Sequence, residues 1–372
     1  MAAFQVKTKT IHGEGSLSHL KSLRRKKVWI ICDPFLAKGE GIKRLSDYLD
    51  VSNHVSIFSD VVPDPPIATI VKGMEEAVDV QAEVMIAFGG GSAIDTAKGI
   101  YYFSKLLELA QIEQFIAIPT TSGTGSEVTQ ATVISDPEAK AKYPLFNEEM
   151  IPDVAILDPV LCVTVPPNIT ANTGLDVLTH AIEAYVSTEA TNYTDALAEK
   201  STYLAFTHLV ACYNNGTNLK DREGMHDAST LAGMAFNCSN LGLNHSIAHQ
   251  LGAQFHLPHG LANAMLLGPV MKFNAMHNKK AKEKYVRLAK ICGIATQADS
   301  METGIRLLDR KITEMMRQMG VAKTLTEAGI RSEQVLHAMD EMVANTLKDA
   351  CFSTNPTRAT RQDIENIIKT II

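Results

Sequence analysis

Hydrophobic positions along the chain follow two regimes. Up to about residue 165, short apolar runs alternate with stretches of helical periodicity. Residues 3–11 alternate weakly and predict a strand. The run 27–32 (KVWIIC) is nearly continuous, as expected of a strand buried on both faces. Asp33-Pro34 ends it, and a helical pattern follows to about residue 49. Residues 54–58 predict a second strand, Pro63-Asp64-Pro65-Pro66 a turn, 67–80 a helix and 83–88 (EVMIAF) another buried strand. Gly89-Gly90-Gly91-Ser92 then leads into a helix from Ala93, and 114–118 predict a strand closed by Pro119. Strands alternating with helices imply βαβ units and a doubly wound, mostly parallel sheet.

After Val165-Pro166-Pro167 nearly everything has helical periodicity: about 170–187, 192–213, 222–238, 244–254, 261–277, 280–291, 299–319, 332–346 and 361–371. Thr360 and Asp363 have the spacing of a capping box opening the last helix. The predicted architecture is an α/β N-terminal domain over 1–168 and an all-α C-terminal domain over 169–372, joined by short turns.

The length of 372 residues suits two or three domains. Apolar residues at 45% and charged residues at 20% are ordinary for a globular protein. A net charge of −6 argues against nucleic acid or an anionic membrane as partner. The one basic run, Arg24-Arg25-Lys26-Lys27, precedes a strand and reads as a solvated strand entrance. The six cysteines are scattered among apolar neighbours with no C-x-x-C, so free thiols in a reducing compartment are expected. No secretory signal and no run of about 18 apolar residues is evident. A cytoplasmic enzyme is therefore the expectation.

Three features in the first half suit a nucleotide. Gly89-Gly90-Gly91-Ser92 lies between a strand and a helix, where glycines admit an anion to the helix N-terminus. A plain tight turn is the competing reading, since neither G-x-G-x-x-G nor a Walker lysine is present. The stretch 120–127 (TTSGTGSE) packs five hydroxyls and two glycines into eight residues. It reads either as a loop wrapping a dinucleotide or as a flexible loop. Asp33, at a strand end, reads as a ribose acceptor that would repel a 2′-phosphate, or as a turn-initiating Asp before Pro. It precedes the glycine turn rather than following it, so the strand order must differ from the usual dinucleotide fold.

The second half holds a histidine cluster. GLNHSIAHQLGAQFHLPHGLANA, residues 242–264, contains His245, His249, His256 and His259. His245 and His249 are spaced i, i+4 and leave one helix face together. Asp176 and His180 repeat that spacing in GLDVLTHAIEAY. One carboxylate and several imidazoles suit a borderline divalent cation, Fe²⁺ or Zn²⁺. Any one of these histidines alone would more often be structural. H-E-x-x-H is absent, which disfavours a zincin protease. Glu183, one turn beyond His180, either supports a ligand or is simply exposed.

GGGSAIDTAK, PTTSGTGSEVT, KYPLFNEEMIPDVAILDP and the two histidine motifs together resemble the iron-dependent (group III) alcohol dehydrogenases over nearly the whole chain. Within that family the chain looks most like stand-alone propanol/butanol-type enzymes, including those of propanediol-degrading microcompartments. The resemblance implies the fold shared with dehydroquinate synthase, a dinucleotide-binding domain at 1–168 and a metal and substrate domain at 169–372. It implies Asp176, His180, His245 and His259 as metal ligands, with His249 beside nicotinamide and substrate as a proton-relay group. It implies Gly90, Gly91 and Ser92 at the pyrophosphate and Asp33 at the adenosine ribose. Thr120, Thr121, Thr124 and Ser126 would line the cofactor cleft, with Val133, Lys142 and Leu161 nearby. Many relatives have Asn in a P-N-P turn where this chain has Asp64, which accepts but does not donate an amide hydrogen bond. His256 is not a ligand in the family pattern.

The reaction so implied is reversible hydride transfer between a short primary alcohol and NAD⁺, with Fe²⁺ or Zn²⁺ as Lewis acid. Polyol oxidation is the nearest alternative, and the third histidine ligand argues against it. A dehydroquinate synthase-like lyase would need basic residues around the metal, yet 170–264 holds only Lys200, Lys220 and Arg222. A non-catalytic metal or nucleotide sensor would bind without turnover. A homodimer or larger homo-oligomer, and association with a microcompartment, are further expectations.

Overall fold

The structure, a computed structural model, describes residues 4–137 and 141–372, with the backbone alone at 141 and 142. Two compact units are present. One comprises 1–165 and 217–233, the other 166–216 and 234–372, so the chain passes between them three times.

The first unit is built on a six-stranded sheet. Its strands are β1 (Lys9–His12), β2 (Lys27–Ile31), β3 (His54–Phe58), β4 (Val84–Gly89), β5 (Gln114–Pro119) and a later strand, Val154–Leu157. A separate antiparallel hairpin precedes that strand, so β6 is Ala131–Asp136, β7 is Ala141–Phe146 and the late strand is β8. The sheet order is β1-β8-β5-β4-β2-β3, and every pair in it is parallel. Helices α1 (Pro34–Lys38), α2 (Glu40–Asp47), α3 (Ile67–Val80) and α4 (Gly91–Leu106) connect the strands.

The period-2 alternation of side chains explains the unbroken apolar runs. Trp29, Ile31, Met85, Ala87, Phe115 and Ala117 point into one core, with Ile70 and Ala77 of α3 and Ile94, Ala97 and Ile100 of α4. Val28, Ile30, Val84, Ile86, Phe88, Ile116 and Ile118 point into the other, with Leu17, Leu20, Ile42 and Leu45. The expected helix over 34–49 breaks at Gly39, whose backbone is extended. The basic run is the expected strand entrance: Lys26 bridges Glu83 and Glu113 at 2.6 and 2.8 Å.

The second unit is helical. It contains α5 (Pro167–Val186), α6 (Asn192–Asn214), the end of α7 (Leu219–Ser239), α8 (Leu243–Phe255) and α9 (His259–His277). Then come α10 (Lys279–Ile291), α11 (Met301–Gln318), α12 (Ser332–Thr346) and α13 (Arg361–Lys369), opened by the expected Thr360/Asp363 capping box. Residues 174–186 of α5 are buried without exception. A helix buried all round must be apolar or must pair its polar groups. Asp176, His180, Glu183 and Tyr185 are the charged or titratable residues of that buried run. The apolar residues of α8, α9, α12 and α13, among them Ile247, Leu251, Leu266, Met342 and Ile364, form one core behind this region. Among the described residues, no helix is long and apolar enough to cross a membrane.

Candidate metal centre and nucleotide turn

The helical unit brings Asp176, His180, His245 and His259 together. One donor atom from each lies within 4.8 Å of all the others. Asp176 Oδ1 is 3.8 Å from His245 Nε2 and 3.6 Å from His259 Nε2, and Asp176 Oδ2 is 4.0 Å from His180 Nε2. The His180 and His245 rings stack at 4.7 Å, and Phe236 backs His180 at the same distance. Three of the four side chains are buried, whereas His259 is 44% exposed. The set is therefore walled on one side and open at His259.

Local structure dictates these positions. The i, i+4 spacing puts Asp176 and His180 on one line of α5, and Glu183 continues it. Glu183 is buried and works on the neighbouring helix. Its carboxylate accepts from the Asn244 N–H at 2.7 Å and the His245 N–H at 3.3 Å, so it caps α8, whose own N-cap residue Gly242 has no side chain to do so. A Cβ on Gly242 would lie 2.8 Å from Glu183 Oε1, so this arrangement requires glycine. The same carboxylate meets His245 Nδ1 at 2.5 Å. Burial pushes the Glu183 carboxyl up to about 8, against the pull of those backbone N–H groups. Burial, then the neighbouring imidazoles, holds His245 well below its usual range.

Asn263, one turn beyond His259 on α9, is a member that sequence reasoning missed. Its amide nitrogen lies 2.7 Å from Asp176 Oδ1 and 3.1 Å from both His245 Nε2 and His259 Nε2. Asn244 donates to its Oδ1 at 2.9 Å, which fixes which end of the amide faces the cluster. The two N–H groups of that amide only donate, and they are shared among the Asp176 oxygen and the two ring edges. Glu183 engages His245 through Nδ1, which leaves the Nε2 edge of that ring facing the cluster, the edge a metal ligand would use. A buried carboxylate and three imidazoles whose donor atoms converge fit a divalent iron or zinc ion. The only cue to Asn263 in the sequence was a polar residue inside the apolar run LANAMLL.

His249 is not within that set. Its ring is partly exposed and stacks on His259 at 5.6 Å. Its Nδ1 meets Asp349 Oδ2 at 2.8 Å, and Asp349 also accepts from Ser246 Oγ and the Cys351 N–H. His256 is exposed and ends α8 in the left-handed region, a structural role.

The other unit assembles the glycine turn and the hydroxyl loop at the carboxyl ends of adjacent strands β4 and β5. They pack without slack: a Cβ on Gly90 would lie 3.2 Å from Thr121 Oγ1, and one on Gly91 would lie 2.6 Å from Thr124 Cγ2. Ser92 sits in the first turn of α4. Asp33 ends β2, which adjoins β4, so the reversed order in sequence still places it beside the glycine turn. Asp33 Oδ1 caps α1 through the N–H groups of Phe35 and Leu36, both at 2.9 Å. The turn-initiating reading is therefore true of one oxygen.

Other expected cofactor residues spend their polar groups inside the protein. Ser126 Oγ donates to Asp95 at 2.7 Å, and the Val133 N–H donates to Asp95 at 3.2 Å. Thr120 and Leu161 are buried, Leu161 within the sheet core. Lys142 lies on β7, and its side chain is outside the described residues. The loop is also tied to the first part of α7. Ser122 Oγ meets His226 Nδ1 at 2.9 Å, Cys162 Sγ lies 3.4 Å from His226 Nε2, and Thr230 donates to Glu127 at 2.7 Å. Burial brings the His226 imidazole down to about 4.

Comparison with known proteins gives these two constellations a context. Residues 7–159 match the family model "Iron-containing alcohol dehydrogenase", and residues 170–372 match "Fe-containing alcohol dehydrogenase family, C-terminal". The chain is 48% identical to the 1-propanol dehydrogenase PduQ of Citrobacter freundii over 100% of both proteins. It is 36% identical to the NADPH-dependent butanol dehydrogenase of Clostridium saccharobutylicum, covering 100% of this chain and 98% of that one. A crystal structure of 1,3-propanediol oxidoreductase superposes with a TM-score of 0.92 at 31% identity, over 100% of both chains. The chain thus belongs to the iron-containing alcohol dehydrogenase family, as an alcohol oxidoreductase that works with iron and a nicotinamide dinucleotide.

Proposed function

We propose that this chain interconverts a short primary alcohol and its aldehyde, of the size of propanol and propanal, using NAD(H) and Fe²⁺. The observation that carries the reading is the convergence of Asp176, His180, His245 and His259, three of them buried, with an open side at His259. These four would hold the ion, and Zn²⁺ fits the same donors. When bound, such an ion acidifies an alcohol and polarises an aldehyde carbonyl.

The chain's own residues do the rest. Glu183 and Asn263 hold the His245 ring in place from its two nitrogen edges. Asp349 holds His249 by Nδ1, which leaves Nε2 to exchange a proton between the open side and solvent. Gly90, Gly91 and Ser92 offer a helix N-terminus to the cofactor's diphosphate, lined by Thr121 and Thr124. Asp33 Oδ2 faces the ribose and repels a 2′-phosphate, which favours NAD over NADP. Thr120, Ser126, Val133, Lys142 and Leu161 support that cleft. In this reading residues 1–168 serve the dinucleotide and 169–372 the metal and substrate. A cytoplasmic homo-oligomer associated with a microcompartment completes the reading, and rests on the family resemblance of the sequence motifs.

The test is NADH oxidation with propanal by protein purified without oxygen, stripped of metal and then given Fe²⁺ or Zn²⁺. Activity that returns only with the ion, and is much weaker with NADPH, is the expected result. Bound metal and NADH without turnover of any short aldehyde would overturn the proposal.

A further inference from the structure

Asp95 and Lys98 lie one turn apart on one face of α4, the helix whose N-terminus is the glycine turn. Neither is needed to form that turn. Lys98 is fully buried, an expensive place for an ammonium group. An apolar side chain would fill the space at less cost, so the charge is there for what it holds. Asp95 uses everything it has on one segment. Its two carboxylate oxygens accept from Ser126 Oγ at 2.7 Å and the Val133 N–H at 3.2 Å, and its carbonyl accepts from Thr132 Oγ1 at 2.9 Å. Lys98 Nζ donates to Thr129 Oγ1 at 3.1 Å and to the Ala131 carbonyl at 2.8 Å. Five bonds thus fix residues 126–133 to two residues of α4. That segment continues directly from Thr121 and Thr124, which pack against the glycine turn with no spare room.

We propose that Asp95 and Lys98 are positioning residues for the cofactor: together they hold the hydroxyl loop in register with the glycine turn, so that both meet the same diphosphate. The proposal rests on the nucleotide reading given above. The burial that brings Lys98 down to about 8 is opposed by Asp95 and Glu127, as expected of groups that work as one unit. Ser126 and Val133 then contribute through Asp95 rather than by touching the cofactor.

The test is NADH affinity, read from the fluorescence of NADH itself on the iron-loaded enzyme, with thermal unfolding and iron content measured in parallel. In Asp95→Ala and Lys98→Met, Kd for NADH is expected to rise by about 10-fold or more, the equivalent of one or two charge-assisted bonds. Iron content should stay at the parental level, and kcat at saturating NADH should stay within about threefold, so that the loss appears in KM. Asp95→Asn keeps the shape and one acceptor for Ser126, and its loss should be smaller. If the larger changes prevent folding, Asp95→Asn decides, because its fold is the least disturbed. A folded variant series with NADH affinity within about twofold of the parent would overturn the proposal and leave Asp95 and Lys98 as packing. Failure of the parent itself to bind NADH would instead remove the nucleotide reading, and this proposal with it.

Discussion

His245 is gripped from two sides, by Glu183 on one ring nitrogen and by Asn263 on the other. His249, one turn away, is held at Nδ1 by Asp349 and faces the open side. The two histidines therefore differ in what their loss does. His259→Ala is expected to lose bound metal and activity together, whereas His249→Ala should lower turnover by about 100-fold or more with metal content intact. Metal analysis beside kcat separates the cases, and loss of metal from His249→Ala would make it a ligand. His226 allows a pH prediction. Its folded pKa of about 4 lies below the ordinary 6.5, so the unfolded chain binds the extra proton between those values. Stability from this group is complete above pH 6.5 and falls as pH drops toward 4, by on the order of 3 kcal/mol. Urea unfolding from pH 7 to 4 should show that slope in the parent and a shallower one in His226→Gln. An unchanged slope would assign the acid sensitivity elsewhere. At this scale the four ligands were legible because titratable residues at i, i+4 in apolar, small-residue helices are unusual. Asn263, Asp95 and Lys98 were not, because their roles depend on partners distant in sequence.

Helices α5 and α9 meet at a backbone contact. A Cβ on Gly260 would lie 2.1 Å from the Asn172 carbonyl oxygen, and that atom is main chain with nowhere to go. Gly260→Ala should therefore push the first turn of α9 off α5, carrying His259 away from Asp176. A stability loss of about 1–3 kcal/mol is expected, with weaker metal binding measured by competition with a chromogenic chelator. Parental affinity in that variant would mean that α9 adjusts without moving His259. Elements that bury a continuous or periodic apolar set were read from the sequence nearly to the residue, as in β4, α3 and α12. The hairpin of β6 and β7 was not. It is a two-stranded ribbon with Pro144 in one strand and few buried positions, so neither period nor apolar run marks it. The strand β8 is four residues long, too short for a pattern.

Across the whole molecule, each compact unit has a hydrophobic core of its own. A cation bound by four residues of the helical unit stabilises that unit by mass action, by about 2.7 kcal/mol when present at about 100 times its Kd. Calorimetry before and after chelation, with Fe²⁺ or Zn²⁺ restored, should show a reversible fall in the unfolding temperature. No shift in His259→Ala is the matching control, and a shift there would place the ion elsewhere. The α/β and all-helical characters of the two halves were plain from the change in periodicity near residue 165. That residues 217–233 lie with the first unit was not, because a helix carries no mark of what it packs against.

That excursion has a consequence for how the protein is made. The first part of α7 supplies His226 to Ser122 and Thr230 to Glu127, and Gly233 lies against Gly125, where a Cβ would be 2.7 Å from the Gly233 Cα. During synthesis, residues 1–165 leave the ribosome without this lid over the hydroxyl loop. They must wait while 166–216, which fold elsewhere, emerge first. A gene fragment ending at 168 should therefore yield a product that aggregates or stays protease-sensitive, and a soluble, NADH-binding fragment would refute this. Nascent chains arrested just past residue 233, once it has cleared the exit tunnel, should be the first in which the first unit resists digestion.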